Sequence, residues 1–110
     1  MATPEPMRSW KRTESYLRDA RAHISQVAET EFADAIAEFE EYLEHNELGL
    51  AFEALASVAR ENRLESLRVF ELLALSAASM GLTEELLALD ETITTMRGQK
   101  RETSLPRDDA

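Results

Sequence analysis

Apolar residues recur at steps of three and four along almost the whole chain, the period of a helix that buries one stripe. From Trp10, the small or apolar positions Thr13, Leu17, Ala20, Ile24 and Val27 predict a first helix near 10–29. Phe32, Ile36, Phe39 and Leu43 continue the pattern, with Thr30 as the candidate N-cap between the two runs, so residues 10–44 read as one long helix or two. After Leu43 the next apolar anchor is Leu48, five residues on. That step turns the face by about 140° past a full turn, which a straight helix cannot absorb without burying charge. The helix is therefore expected to break at His45-Asn46, where asparagine tolerates the left-handed conformation and can cap the helix that follows. Leu48, Ala51, Phe52, Leu55, Val58 and Ala59 place that helix near 47–61, with Glu47 in its first turn. Beyond it, Asn62 and Glu65 have the spacing of a weak capping box.

Residues 67–80 are apolar on almost every side, with Arg68 and Glu71 as their only charges. A helix of this kind has no solvent face to spare and belongs at the centre of a bundle. Gly81 can take the left-handed position after its last turn, Leu82 the following apolar contact, and Thr83 the cap of the next helix. Leu86, Leu89, Ile93 and Met96 give that last helix its stripe, and Gly98 is expected to end it. The three prolines (Pro4, Pro6 and Pro106) all lie near the ends, so nothing in between forces a helix to break. The pattern predicts an all-α fold, a small antiparallel bundle of four to five helices. One domain over residues 10–98 is expected between a flexible N-terminus, 1–9, and a polar tail, 99–110. No internal repeat supports a solenoid.

Charge sharpens this picture. Of 110 residues, 22 are acidic and 12 are lysine or arginine, a net charge of −10. Most of the excess lies between residues 31 and 65, where ten acids face only Arg60 and Arg63. Such a field repels phosphate backbones, so nucleic acid is not the expected ligand and a basic protein is. No apolar stretch reaches the length of a membrane span, and Met1-Ala2-Thr3-Pro4-Glu5-Pro6 lacks the apolar region of a secretory signal, which points to a cytoplasmic protein without a membrane partner.

The chemistry is sparse. With no cysteine there is no disulfide, thiolate nucleophile or cysteine-ligated metal, and the three glycines form neither a P-loop nor a dinucleotide-binding turn. No serine motif points to His23 or His45, so an enzyme is not expected. Glu41 and His45 stand four apart with Glu44 beside them, but no second Glu-x-x-His pair exists to complete a di-metal bundle site, and no metal or other cofactor is predicted. His45 reads instead as a helix-end residue and Trp10, Met80 and Met96 as core filler. What remains is recognition. Glu38, Glu41, Glu44 and Glu47, with His45 among them, form a candidate partner-binding strip, and Tyr42, Phe39 or Leu48 near the break are its candidate anchors.

The run Tyr42-Leu43-Glu44-His45-Asn46-Glu47-Leu48-Gly49-Leu50-Ala51-Phe52-Glu53-Ala54-Leu55-Ala56, followed by a polar gap, a second apolar helix and Met80-Gly81-Leu82, resembles the MafI-type immunity proteins of bacterial polymorphic toxin and contact-dependent growth inhibition systems. The resemblance covers roughly residues 32–90 and rests most on Glu47, Gly49, Ala51 and Glu53. It implies a small helical antidote that neutralises the C-terminal domain of a cognate secreted toxin, and many such toxins are nucleases. Read from the residues alone, Gly49 and Ala51 are close-packing positions and Glu53 is a capping or buried structural carboxylate. The competing expectation is a helical adaptor or self-associating bundle, a homodimer whose apolar surface is completed by a second copy.

Overall fold

The computed structural model describes residues 5–62 and 66–104, with side chains over 10–62 and 66–98. The described residues form six helices: α1 (Glu5–Ala22), α2 (Gln26–Glu31), α3 (Ala33–Glu44), α4 (Leu48–Glu61), α5 (Leu67–Met80) and α6 (Thr83–Ser104). The fold is all-α, with no strand among these residues. α5 occupies the centre as its apolar sequence predicts, packed against α1, α4 and α6, while α3 lies on α4.

The polar contacts give the directions. Asn62, which ends α4, donates its amide to Ser25 Oγ (3.3 Å), so the end of α1 lies near the start of α5. Thr13 of α1 pairs with Ser79 near the end of α5, and α1 is therefore antiparallel to α5. Arg97, late in α6, reaches Glu71, early in α5 (2.8 Å), which makes those two an antiparallel hairpin. The shared core includes Leu17 and Ala20 of α1, Phe39 of α3, Phe52 and Leu55 of α4, and Leu72 and Leu73 of α5, each at most 1% exposed. Trp10, Met80 and Met96 pack partly buried against it.

Both helix breaks on which the sequence reading depends have one geometry. At Asn46 (φ 59°) the Glu47 N–H donates to the Tyr42 carbonyl (2.8 Å) and the Asn46 N–H to that of Leu43 (3.1 Å). At Gly81 (φ 72°) the Leu82 N–H donates to the Ala77 carbonyl (2.9 Å) and the Gly81 N–H to that of Ala78 (3.2 Å). These are two Schellman endings, each built around a left-handed residue that satisfies the last carbonyls of its helix. Only glycine, and less readily asparagine, adopts that conformation without strain. Asn46→Ala is thus expected to cost about 1 kcal/mol and Asn46→Gly to be neutral or slightly stabilising. Urea denaturation of the two variants beside the wild type measures both.

Elsewhere the structure corrects the reading. The expected helix near 10–29 is divided at His23-Ile24-Ser25, and a second interruption falls at Phe32 (φ −115°, ψ 37°). Among the described residues the helix count is therefore six rather than four or five. Ser25, not Thr30, is the N-cap, accepting from the Ala28 N–H (3.2 Å), whereas the Thr30 hydroxyl bonds back to the Gln26 carbonyl inside α2. The extra turn rotates Val27 off the stripe and leaves it 53% exposed. Asn46 ends α3 but does not cap α4, whose N-cap is Glu47 without a side-chain bond, so Glu47 precedes the first turn. Asn62 closes α4 as a buried residue, and its capping partner Glu65 lies outside the described residues. α5 does present a solvent line, with Leu75 and Ala78 exposed on it. Gly98 does not end α6, which continues to Ser104, and helix also covers residues 5–9 at the other end. A lone glycine costs a helix only about 1 kcal/mol, and the good helix formers on either side of Gly98 outweigh it. Residues 1–4 and 105–110 lie outside the described residues.

Candidate functional site

The outer face of α3 carries the candidate strip. Ile36, Phe39 and Leu43 turn inward, and helical spacing places Glu38, Glu41 and His45 along one exposed line with Glu44 beside it. Glu47 adjoins them just past the bend and is exposed. Tyr42 is half-buried against the core. The proposed anchors Phe39 and Leu48 are corrected, since they are 1% and 8% exposed and belong to the interior. Gly49 is corrected as well: it is exposed, and a Cβ built there would meet nothing within 4 Å, so it is not a close-packing position. Ala51, at 0% exposure, is one. Glu53 is exposed on α4 and does not act as a buried carboxylate.

Two neighbours escaped the sequence reading. Asp34 continues the outer line one turn before Glu38, a position that the i, i+4, i+7 spacing of 34, 38 and 41 would have revealed. Leu50, 46% exposed in the first turn of α4, is the solvent-facing apolar residue nearest the bend. Its place off the buried stripe of Leu48, Ala51, Phe52 and Leu55 is the signal that would have found it.

The electrostatics of the strip are unbalanced. Among the described residues, Glu38, Glu41, Glu44 and Glu47 make no ion pair, while Glu40, on the side toward α1, lies 3.5 Å from Arg21. Arg21 is held mainly by Glu29 (2.8 Å), and its buried Nε has no hydrogen-bond acceptor, because the Glu40 approach lacks the necessary geometry. Glu41 and Glu44 also occupy the last turn of α3, which contains no basic residue. The C-terminal end of a helix is electronegative, so carboxylates there oppose the dipole at a cost of about 0.3–1 kcal/mol each. These acids are therefore placed against the preference of their own helix.

His45 is the single counterweight within the strip. Its Nδ1–H donates to the Glu41 carbonyl (2.9 Å), and that bond is the main reason its pKa lies above the ordinary 6.5. The carboxylates of Glu41, Glu44 and Glu47 raise it further, against desolvation. A histidine whose folded pKa is raised stabilises the fold below its unfolded pKa and loses that contribution as the pH rises through the folded value. An NMR titration of the His45 ring is accordingly expected to have its midpoint above 6.5, and Glu41→Gln to lower it. A midpoint at or below 6.5 would contradict this arrangement.

No group of three or more histidine, aspartate or glutamate side chains is placed to hold a metal ion among the described residues. Both histidine rings engage the backbone carbonyl four residues earlier, His23 to Asp19 (2.8 Å) and His45 to Glu41. No described helix is long and apolar enough to cross a membrane. The site thus defines an all-helical protein with an exposed acidic ridge, countered within the ridge only by His45, beside a tight bend. No family model matches the chain, and no curated protein or solved structure shows significant similarity to it.

Proposed function

We propose that this chain is an immunity protein that binds a basic toxin domain, in the manner of a nuclease inhibitor, through the acidic ridge of α3 and the Asn46 bend. The carrying observation is the placement of Glu41 and Glu44, exposed, without ion pairs among the described residues, and at the helix end that disfavours them. Residues that break a local rule without local compensation are best explained by a task outside the fold. A ridge of carboxylates presents to a basic cleft the charge spacing that a phosphate backbone would present, and long-range attraction speeds the encounter. Leu50 and the half-buried Tyr42 supply apolar contact at the bend, where affinity needs a desolvated centre. The resemblance to MafI-type immunity proteins adds the biological role, protection of the producing cell from within its cytoplasm.

If a gene for a secreted toxin adjoins this one, co-expression with that toxin's C-terminal domain tests the reading. Rescue of growth and co-purification of the two chains are expected. Continued toxicity with no complex formed would refute it.

A further inference from the structure

We propose that α2 is a strap that releases as a unit while the rest of the bundle stays folded, and that its release hands Arg21 from Glu29 to Glu40. α2 has six residues, about half of what a helix in water needs to persist by itself, so it depends on what it packs against. That support is slight. Ala28 is its one buried side chain, and Val27 is 53% exposed. The helix is interrupted on both sides, at His23-Ile24-Ser25 and at Phe32, and both joints are fixed. The Ser25 hydroxyl accepts the side-chain amide of Asn62 (3.3 Å), and Phe32 packs half-buried against the core. A short segment that buries little between two fixed joints opens locally at a fraction of the free energy of global unfolding.

Arg21, in the last turn of α1, is the latch. Its terminal nitrogen donates to Glu29 of α2 (2.8 Å), while its Nε, buried and without an acceptor, stands 3.5 Å from Glu40 of α3. A buried N–H left unpaired carries a penalty that a short movement toward Glu40 would remove. Two carboxylates on different helices thus compete for one cation. Glu29 holds it in the closed form, and Glu40 takes it once α2 has lifted away. α3 is tied to α1 through α4 and α5 as well, so Arg21 and Glu40 remain neighbours when α2 opens. Both carboxylates reach the surface, where water screens each pair and neither holds the cation strongly. The strap is independent of the proposed capture, since Glu38, Glu41, Glu44 and Glu47 take no part in it.

Native-state hydrogen exchange of the full chain, followed by NMR, tests this. The probes are the amides of Glu29, bonded to the Ser25 carbonyl (3.0 Å), and of Phe32, bonded to that of Ala28 (2.8 Å). Once corrected for intrinsic rates, both are expected to exchange at least about a hundredfold faster than Leu72 and Leu73 in α5. Their rates should also change little in dilute urea, because local opening exposes little surface. Glu29→Gln and Glu40→Gln keep the shape of surface side chains and are expected to act in opposite directions. Glu29→Gln removes the closed partner and should speed exchange at both probes by about two- to fivefold. Glu40→Gln removes the open partner and should slow it by about twofold. Probes exchanging as slowly as α5, no response to Glu29→Gln, or exchange not slowed in Glu40→Gln would overturn the proposal.

Discussion

Replacing Glu41, Glu44 and Glu47 together by lysine is expected to abolish capture of the basic partner proposed above while leaving the protein folded and slightly more stable. The two effects have one origin. Each substitution removes an exposed carboxylate that makes no ion pair among the described residues, so the only internal interaction lost is the attraction to the His45 ring. At positions 41 and 44, in the last turn of α3, lysine complements the helix dipole that glutamate opposes, a gain of about 0.3–1 kcal/mol at each position. At the partner surface the same change removes three negative charges and adds three positive ones to a chain of net charge −10. Like-charge juxtaposition across an interface costs several kcal/mol and removes electrostatic steering, so affinity is expected to fall by about a thousandfold or more. Calorimetric binding and thermal unfolding on one preparation check both halves. If the carboxylates served only to keep the protein in solution, capture would survive the reversal.

Phe52→Ala is expected to be the most damaging single core substitution. Phe52 is 1% exposed on α4, the helix that touches α1, α3 and α5, and its ring belongs to the core that these helices share. Truncating a buried phenylalanine costs about 3–5 kcal/mol in lost transfer energy and residual cavity, a large share of the roughly 5–15 kcal/mol that holds a domain of this size folded. The melting temperature should fall by about 15 °C or more. Phe52→Leu, which keeps most of the volume, should cost about 1–2 kcal/mol and give a graded comparison. A loss below about 1 kcal/mol for the alanine variant would mean that Phe52 does not hold α4 in the core.

The parts of this structure legible in the sequence are those where a period or a backbone constraint leaves one solution. The five-residue slip from Leu43 to Leu48 marked the bend, and Asn46 and Gly81 marked the left-handed endings, because few residues accept that conformation. The α5 run of leucine and alanine announced the central helix. The division of 10–44 was not legible in the same way. Ile24 stays on the buried stripe although the helix ends before it, and Thr30 rather than Ser25 was the expected cap, so the stripe alone did not reveal a turn at 23–25. Gly98 misled because glycine ends a helix only where the following residues have another place to go, and here they continue it. At the candidate site, helical spacing gathered Glu38, Glu41, Glu44 and His45 on one exposed side and put Phe39 and Leu48 on the buried stripes with Leu50 off them, so the choice of Phe39 and Leu48 as anchors went against the period. How far each side chain is covered was not legible, because that depends on the packing of α4 against α3 and α5.

The most direct test of the proposed function is the association rate of the wild-type chain with a purified basic toxin domain that it captures, followed as salt is raised. An acidic ridge that draws in a basic surface requires the rate to fall steeply with ionic strength while dissociation changes little. A complex whose association rate is flat across that range would contradict the account.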